Sequence, residues 1–232
     1  MGLTREDLEN DTLRRHREDT LHHVPIVPQE EFDASFERIL ENWNPADDVW
    51  VFGYGSLIWN PLVKFAEHRL ATINGFHRCF CLRSRHGRGS VEAPGLMLGL
   101  DFGGSCKGLA FRIAAGHVRH ELKLIWRREM VAGSYVPRWL AARTSAGRVQ
   151  AITFVVNHAH QYYVRKLPAE IIIKTLATAH GKFGSGADYL YQTVDCLARH
   201  GVRDTYLWHL REQVMKVTRG VHHPVPCPEI GA

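Results

Sequence analysis

No stretch of the 232 residues approaches the ~18 consecutive apolar positions that a membrane-spanning helix needs, so a membrane protein is not expected. The first residues, Met1-Gly2-Leu3-Thr4-Arg5-Glu6-Asp7, lack the apolar core of a secretory signal, and Glu6 stands where a myristoylation motif needs Ser or Thr. Cysteine is scarce and odd in number: Cys79, Cys81, Cys106, Cys196 and Cys227, with no C-x-x-C pair. This usage suits a reducing compartment, and a cytoplasmic location is expected. Cys79 and Cys81 lie two apart in a strand-like run and share a face, where they read as small apolar fillers.

Several catalytic and cofactor motifs are also missing. Gly53-Tyr54-Gly55-Ser56-Leu57 is not followed by Gly-Lys-Ser/Thr, which excludes a P-loop. Ile58 stands where a dinucleotide fingerprint needs its third glycine and where a nucleophile elbow needs its second. Histidine is abundant, with 15 residues, but there is no H-E-x-x-H. His22-His23, His158-x-His160 and His222-His223 fall in polar loops or tails, and His117 and His120 fall on a solvated helix face. No metal site and no cofactor is expected.

The composition that remains is that of a globular chain, 45% hydrophobic and 23% charged. A chain of this length buries roughly 70% of its unfolded surface and folds without disulfide or metal. The net charge of +5 leaves nucleic acid or an anionic small molecule open as a partner. Lys and Arg are spread along the chain, and the densest patch, Leu13-Arg14-Arg15-His16-Arg17, runs straight into Glu18 and Asp19. Basic and aromatic residues interleave from Arg78 to Arg88. That stretch reads as a charged strand edge, as cations for a substrate carboxylate or as a nucleic-acid surface.

Residues 1–28 read as an arm that wraps the body or frays. Phe32, Phe36, Ile39, Leu40 and Trp43 make one helical stripe over 29–43, and Pro45 ends it. The body begins with a buried strand, Val49 to Gly53, that runs into the glycine turn. Arg69–Ser84 is strand-rich, and Leu96–Leu100 and Gly108–Ile113 are expected to form a hairpin around Gly103-Gly104. Ala114–Met130 reads as a helix stopped by Gly133. Tyr135–Ala142 and Gln150–Asn157 form a second hairpin, and Pro168–Ala179, Ala187–His200 and Arg203–Thr218 are three helices. Strands followed by helices indicate an α+β class. The expected organisation is an N-terminal arm and helix over 1–48, one domain over 49–222, and a tail over 223–232.

Two constellations carry chemistry. On the 114–130 helix, Val118, Leu122, Ile125 and Trp126 define an apolar face, and Glu129 falls near its middle. A carboxylate there is desolvated and becomes a stronger base, unless it merely pairs with Arg127 or Arg128. Glu121 lies at the stripe's edge. The second constellation is Gly53-Tyr54-Gly55-Ser56-Leu57, at the end of an apolar strand, whose glycines let backbone N–H groups converge on an anion, or form a plain turn.

Val51-Phe52-Gly53-Tyr54-Gly55-Ser56-Leu57-Ile58-Trp59-Asn60-Pro61 resembles the signature of the ChaC family of glutathione-specific γ-glutamylcyclotransferases. Gly75-Phe76-His77-Arg78, Cys79-Phe80-Cys81-Leu82, Trp126-Arg127-Arg128-Glu129-Met130, Gly133-Ser134-Tyr135-Val136-Pro137 and Asp188-Tyr189-Leu190 follow in the family's order. The resemblance implies a small mixed β-barrel with flanking and C-terminal helices. It implies Glu129 as proton acceptor, with Val51 to Leu57, Tyr135 and Tyr189 around the substrate. The substrate would be glutathione, cleaved to 5-oxoproline and Cys-Gly without cofactor, metal, nucleic acid or membrane. Oligomeric state stays open. Two departures stand out: Gly184-Ser185-Gly186-Ala187 replace an Asn that often precedes Tyr189, and the Glu129–Tyr135 spacing is one residue longer than in animal members. Cyclotransfer of other γ-glutamyl amines, and a non-enzymatic γ-glutamyl or anion binder, are the alternatives.

Overall fold

The computed structural model describes residues 3–20 and 26–218. Five strands close into a barrel in the order β1-β3-β2-β4-β5: β1 is Val49–Gly53, β2 Glu67–Ser84, β3 Gly95–Ile113, β4 Tyr135–Thr144 and β5 Gly147–Val156. All neighbours are antiparallel except β1 and β5, which run parallel through Trp50↔Ala151 and Val51↔Ile152 and shut the barrel. Closure removes the exposed strand edges that an open sheet would carry.

Side-chain alternation along the strands divides the apolar residues between two clusters. On β5, Ala151 and Val155 join one cluster while Ile152, Phe154 and Val156 join the other. The first cluster takes in helices α6 (Ala169–Thr178), α7 (Gly186–Arg199) and α8 (Thr205–Val217), through Leu176, Leu190, Val194, Leu207 and Val214. The second takes in α3 (Gln29–Ile39) and α5 (Val118–Glu129), through Phe32, Phe36, Leu122, Ile125 and Trp126. The stripe expected over 29–43 is that α3 face. The C-terminal helices lie where their periodicity put them, with a separate two-stranded hairpin, β6 (His180–Gly181) and β7 (Gly184–Ser185), between α6 and α7.

The hairpin expected around Gly103-Gly104 does not exist. β3 runs unbroken through both glycines and pairs with β2 along its length, so the true turn lies between Ser84 and Gly95. Gly103 and Gly104 (φ +99° and +68°) face Gly75 (φ +84°) at a register shift between Asn74 and Phe76. Glycines on both strands make a bulge there, the device that bends a long hairpin round a small barrel. The expected turn of the second hairpin is present, with Gly147 at φ +115°.

The N-terminal segment wraps the body, but as helices rather than as an irregular arm. α1 (Arg5–Glu9) starts at a capping box in which Thr4 and Asp7 satisfy each other's backbone N–H groups. α2 (Thr12–Thr20) follows. Arg127 on α5 donates to the carbonyls of Leu8 and Glu9 at 2.9 and 2.8 Å. His22-His23, His222-His223, Cys227 and the expected tail over 223–232 lie outside the described residues.

Candidate active site

Glu129 ends α5, where Met130 and the left-handed Gly133 (φ +71°) turn the chain towards β4. Its side chain is 14% exposed and lines a cavity of about 170 Å³. A smaller chamber of about 20 Å³ adjoins it, sharing Ser56, Glu129, Tyr135 and Tyr189 with the larger. Tyr54, Gly55, Leu57, Leu98 and Phe154 complete the small chamber. The structure thus brings Glu129 together with the glycine turn, Tyr135 and Tyr189, although they come from α5, the β1 end, β4 and α7. Val51, Phe52 and Gly53 do not line either space: they are buried strand residues that carry the turn.

Two readings of Glu129 were open, a desolvated carboxylate and an ion-pair partner, and the structure shows both features. Burial pushes its pKa above the ordinary carboxylate value, and Arg128, through charge and a hydrogen bond, pulls back without cancelling the rise. Arg128 Nε meets Glu129 Oε1 at 3.0 Å. Its two other nitrogens donate to the Ser56 hydroxyl, at 2.7 Å, and to the Asn60 carbonyl. One guanidinium therefore fixes the base relative to both ends of α4 (Ser56–Trp59), the short helix that follows the glycine turn.

Glu121 differs from its position at the stripe's edge: it is 1% exposed. Arg5 Nη1 and Nη2 grip its carboxylate at 2.7 and 2.8 Å, and the Lys64 N–H donates at 2.8 Å. Burial pushes its pKa up, but these partners win and hold it below the ordinary value. One helix thus carries two buried carboxylates with opposite shifts, which separates a structural anchor from a candidate base.

Tyr54 and Tyr135 supply acceptors rather than hydroxyl donors. Tyr54 donates its hydroxyl to the Phe154 carbonyl at 2.7 Å and Tyr135 to the Leu98 carbonyl at 3.0 Å. Their pKa values rise, mainly through burial and also through the Glu129 charge. Burial likewise pushes Tyr189 up to about 12, so all three stay neutral. With their protons committed, the oxygens of Tyr54 and Tyr135 add lone pairs beside the Glu129 carboxylate, a set suited to a cationic ammonium. The first N–H groups of α4, at Ser56 and Leu57, are the donors that a helix start leaves unpaired.

The basic stretch from Arg78 to Arg88 divides by side-chain direction. Arg78 is 5% exposed and donates to the carbonyls of Tyr54 and Lys107 and to Asp204 Oδ2, the last at 3.0 Å. It therefore pins the glycine turn from behind, and the strand-edge reading fails for it. Arg83, Arg85 and Arg88 line the large cavity. Arg88 is 8% exposed, lies 5.3 Å from the Tyr189 ring and 5.6 Å from that of Trp59, and reaches the Ser185 carbonyl at 3.4 Å. That contact, with the Ser185 hydroxyl capping α7 at Asp188, is what Gly184–Ala187 provides before Tyr189. Sequence reasoning offered Arg128 only as an ion-pair partner of Glu129 and Arg88 only as one cation of the basic stretch, and placed neither among the site residues. The signal for Arg128 was its adjacency to Glu129 and its spacing from Ile125, one turn back.

Cys79, Cys81 and Asp101 bring their donor atoms within 4.8 Å of one another. Asp101 already accepts from the Tyr163 hydroxyl at 2.9 Å and meets His158 at 2.6 Å, and none of these residues lines the Glu129 cavity. His117 and His120 are exposed. No helix among the described residues is long and apolar enough to cross a membrane.

A small closed mixed barrel, flanked by helices and opening on a buried glutamate beside a glycine turn, defines the γ-glutamylcyclotransferase fold. The yeast crystal structure of a γ-glutamyl cyclotransferase specific to glutathione shares it: TM-score 0.68 at 21% identity, over 76% of this chain and 99% of that one. Residues 49–217 match the family model of ChaC-like proteins. The chain is 41% identical over 170 residues to the glutathione-specific gamma-glutamylcyclotransferase of Escherichia coli, over 73% of this chain and 74% of that protein. It is 27% identical over 200 residues to the glutathione-specific enzyme of Schizosaccharomyces pombe, over 76% of this chain and 97% of that one. The chain belongs to the ChaC family.

Proposed function

We propose that this chain is a cytoplasmic glutathione-specific γ-glutamylcyclotransferase, a lyase that releases 5-oxoproline and Cys-Gly, with Glu129 as its general base. The observation that carries the chemistry is the desolvated Glu129, facing the glycine turn across a cavity and held by Arg128. The names of the relatives above supply the substrate. Residues 49–222 are taken as the catalytic domain.

The reaction needs no nucleophile from the protein. The substrate's own α-amine attacks its γ-carbonyl carbon and closes a five-membered lactam. The attack is intramolecular, so the protein has to fold the γ-glutamyl arm into its reactive conformer, and well-oriented reactions of this kind reach effective molarities of ~10⁵ M or more. The amine arrives as an ammonium among the Glu129 carboxylate and the tyrosine oxygens. Glu129 removes its proton, the amine attacks, and the tetrahedral oxyanion is met by N–H groups of the turn from Tyr54 to Leu57. Attack leaves the ring nitrogen with one proton too many. Collapse breaks the C–N bond to cysteine as Glu129 passes its proton to the departing amine, and the surplus proton of the ring nitrogen then leaves through the freed carboxylate to that amine, which departs as an ammonium.

The test is incubation with reduced glutathione and mass spectrometry of the products, alongside Glu129→Gln and with γ-glutamyl-alanine as a second substrate. Both products are expected from the wild type, with a loss of roughly 10²-fold or more in the variant. Near-normal turnover by a folded Glu129→Gln protein sinks the assignment of the base. Turnover of γ-glutamyl-alanine as fast as glutathione sinks the substrate assignment.

A further inference from the structure

The large cavity beyond Glu129 carries charge that the cyclisation does not use. Arg17, Arg83, Arg85, Arg88 and Lys182 line it, and the lining carboxylate, Glu129, is already paired with Arg128. None of those five cations has a carboxylate within salt-bridge distance among the described residues. Two buried polar atoms on the same wall lack a hydrogen-bond partner: the hydroxyl of Tyr162, a residue only 7% exposed, and Nε2 of His86. An unpaired buried polar atom costs stability, so a wall that keeps two of them beside these cations suits an anionic ligand.

Arg17 comes from α2, outside the 49–217 segment that the family model matches. It sits close enough to His86 to help hold that imidazole down to about 4, after burial and together with His16 and Arg85. Burial also lowers the pKa of Arg17 itself, and Tyr162 is the group that opposes this. Arg17, Arg85, His86 and Tyr162 are thus one neighbourhood, with two guanidiniums and no carboxylate among the four.

Resting on the reading that the γ-glutamyl head reacts at Glu129, we propose that Arg17, with Arg85 and the Tyr162 hydroxyl, forms a second anion subsite that binds the glycine carboxylate of glutathione. The geometry of the substrate agrees. When the γ-glutamyl head sits in the small chamber, the Cys-Gly arm must run through the shared rim of Ser56, Glu129, Tyr135 and Tyr189 into the large cavity. Its carboxylate ends about 7 Å further on, two residues of extended chain. A guanidinium on a carboxylate is the pairing that both charge and fork geometry favour. The N-terminal helices then contribute specificity: they make the site one for a γ-glutamyl dipeptide with a free carboxylate, rather than for any γ-glutamyl amine.

The test compares glutathione with its glycine amide, which differs only in that carboxylate, on the wild type, Arg17→Gln and Tyr162→Phe. The wild type is expected to favour the acid by roughly tenfold in kcat/KM, the scale of a charge-assisted hydrogen bond. Arg17→Gln should lose that preference, through KM on the acid, with the amide changed no more than about twofold. Tyr162→Phe should lose part of it. An equal loss on both substrates means that Arg17 only supports α2, and an unchanged preference means that the carboxylate binds elsewhere; either overturns the proposal. If the wild type turns over neither compound, the cyclotransferase reading fails on its own. Calorimetric binding of the acid and the amide to wild type and Arg17→Gln then decides the subsite without any turnover.

Discussion

Arg128 spends its guanidinium three ways, on Glu129 Oε1, on the Ser56 hydroxyl and on the Asn60 carbonyl, so the base and the helix that follows the glycine turn share one strut. Arg128→Lys keeps the charge but cannot span three acceptors. It should lower kcat at least tenfold while leaving the fold intact, since correct placement of reacting groups is worth that much and more. Arg128→Met removes the charge as well. Arg128 pulls the Glu129 pKa down against burial, so without it the acidic limb of the rate profile should move to higher pH. A kcat–pH series on the three proteins checks both claims, and a limb that stays put would show that another group titrates.

The same shift makes Glu129 a cost to the fold. Its pKa is raised in the native state. Its contribution to stability is therefore fully present below the ordinary glutamate value of about 4.3 and is lost as pH rises through the raised value. Once ionised, the carboxylate is a buried charge that the fold has to hold. Glu129→Gln should be at least as stable as the wild type near neutrality in urea melts, and its relative advantage should shrink on acidification. A variant that is less stable at neutral pH would argue that the Arg128 pair outweighs desolvation.

Glu121 runs in the opposite sense. Its lowered pKa gives stability that is present above the ordinary glutamate value and is lost as pH falls through the lowered one. Glu121→Gln should cost about 2 kcal/mol at neutral pH, less than a fully buried pair because Arg5 is 28% exposed. The deficit should fade in acid. Because Arg5 begins α1, the first readout to change should be protection of the 5–20 segment in hydrogen exchange, ahead of the barrel.

These two glutamates show what the sequence could and could not reveal. Glu129 was legible because the oddity is local: four apolar neighbours on one helical face surround one acid. Glu121 was not, because its partner lies 116 residues away, in a segment whose helices are too short to stand out by periodicity. The barrel followed from resemblance alone, since alternation specifies a strand's two faces and not its neighbours. Gly103-Gly104 misled for a physical reason: a turn and a bulge both need positive φ, and only pairing with β2 and Gly75 tells them apart. The convergence of Arg17, Arg85 and Arg88 on one cavity depends on α2 folding over the barrel, which no local pattern encodes.

Gly55 is the residue whose replacement should separate substrate positioning from base strength. A Cβ built there would lie 3.0 Å from the Tyr189 hydroxyl, tighter than side chains normally approach. The glycine caps α4, the short helix that follows the turn. Gly55→Ala should push the Tyr189 ring off its place between Trp59 and Phe80, whose ring centroids each lie 6.1 Å away. The small chamber is narrow, so a methyl group on its wall takes space that the γ-glutamyl head needs. The expected result is a kcat/KM loss of roughly 10²-fold, the scale of a misplaced reacting group. The acidic limb of the pH profile should stay where it is in the wild type, because neither burial nor Arg128 has changed at Glu129. Tyr189→Phe in the same background should recover part of the loss, since it removes the oxygen that the new methyl meets. A Gly55→Ala protein with wild-type kinetics would mean that the turn binds substrate elsewhere than the chamber it lines.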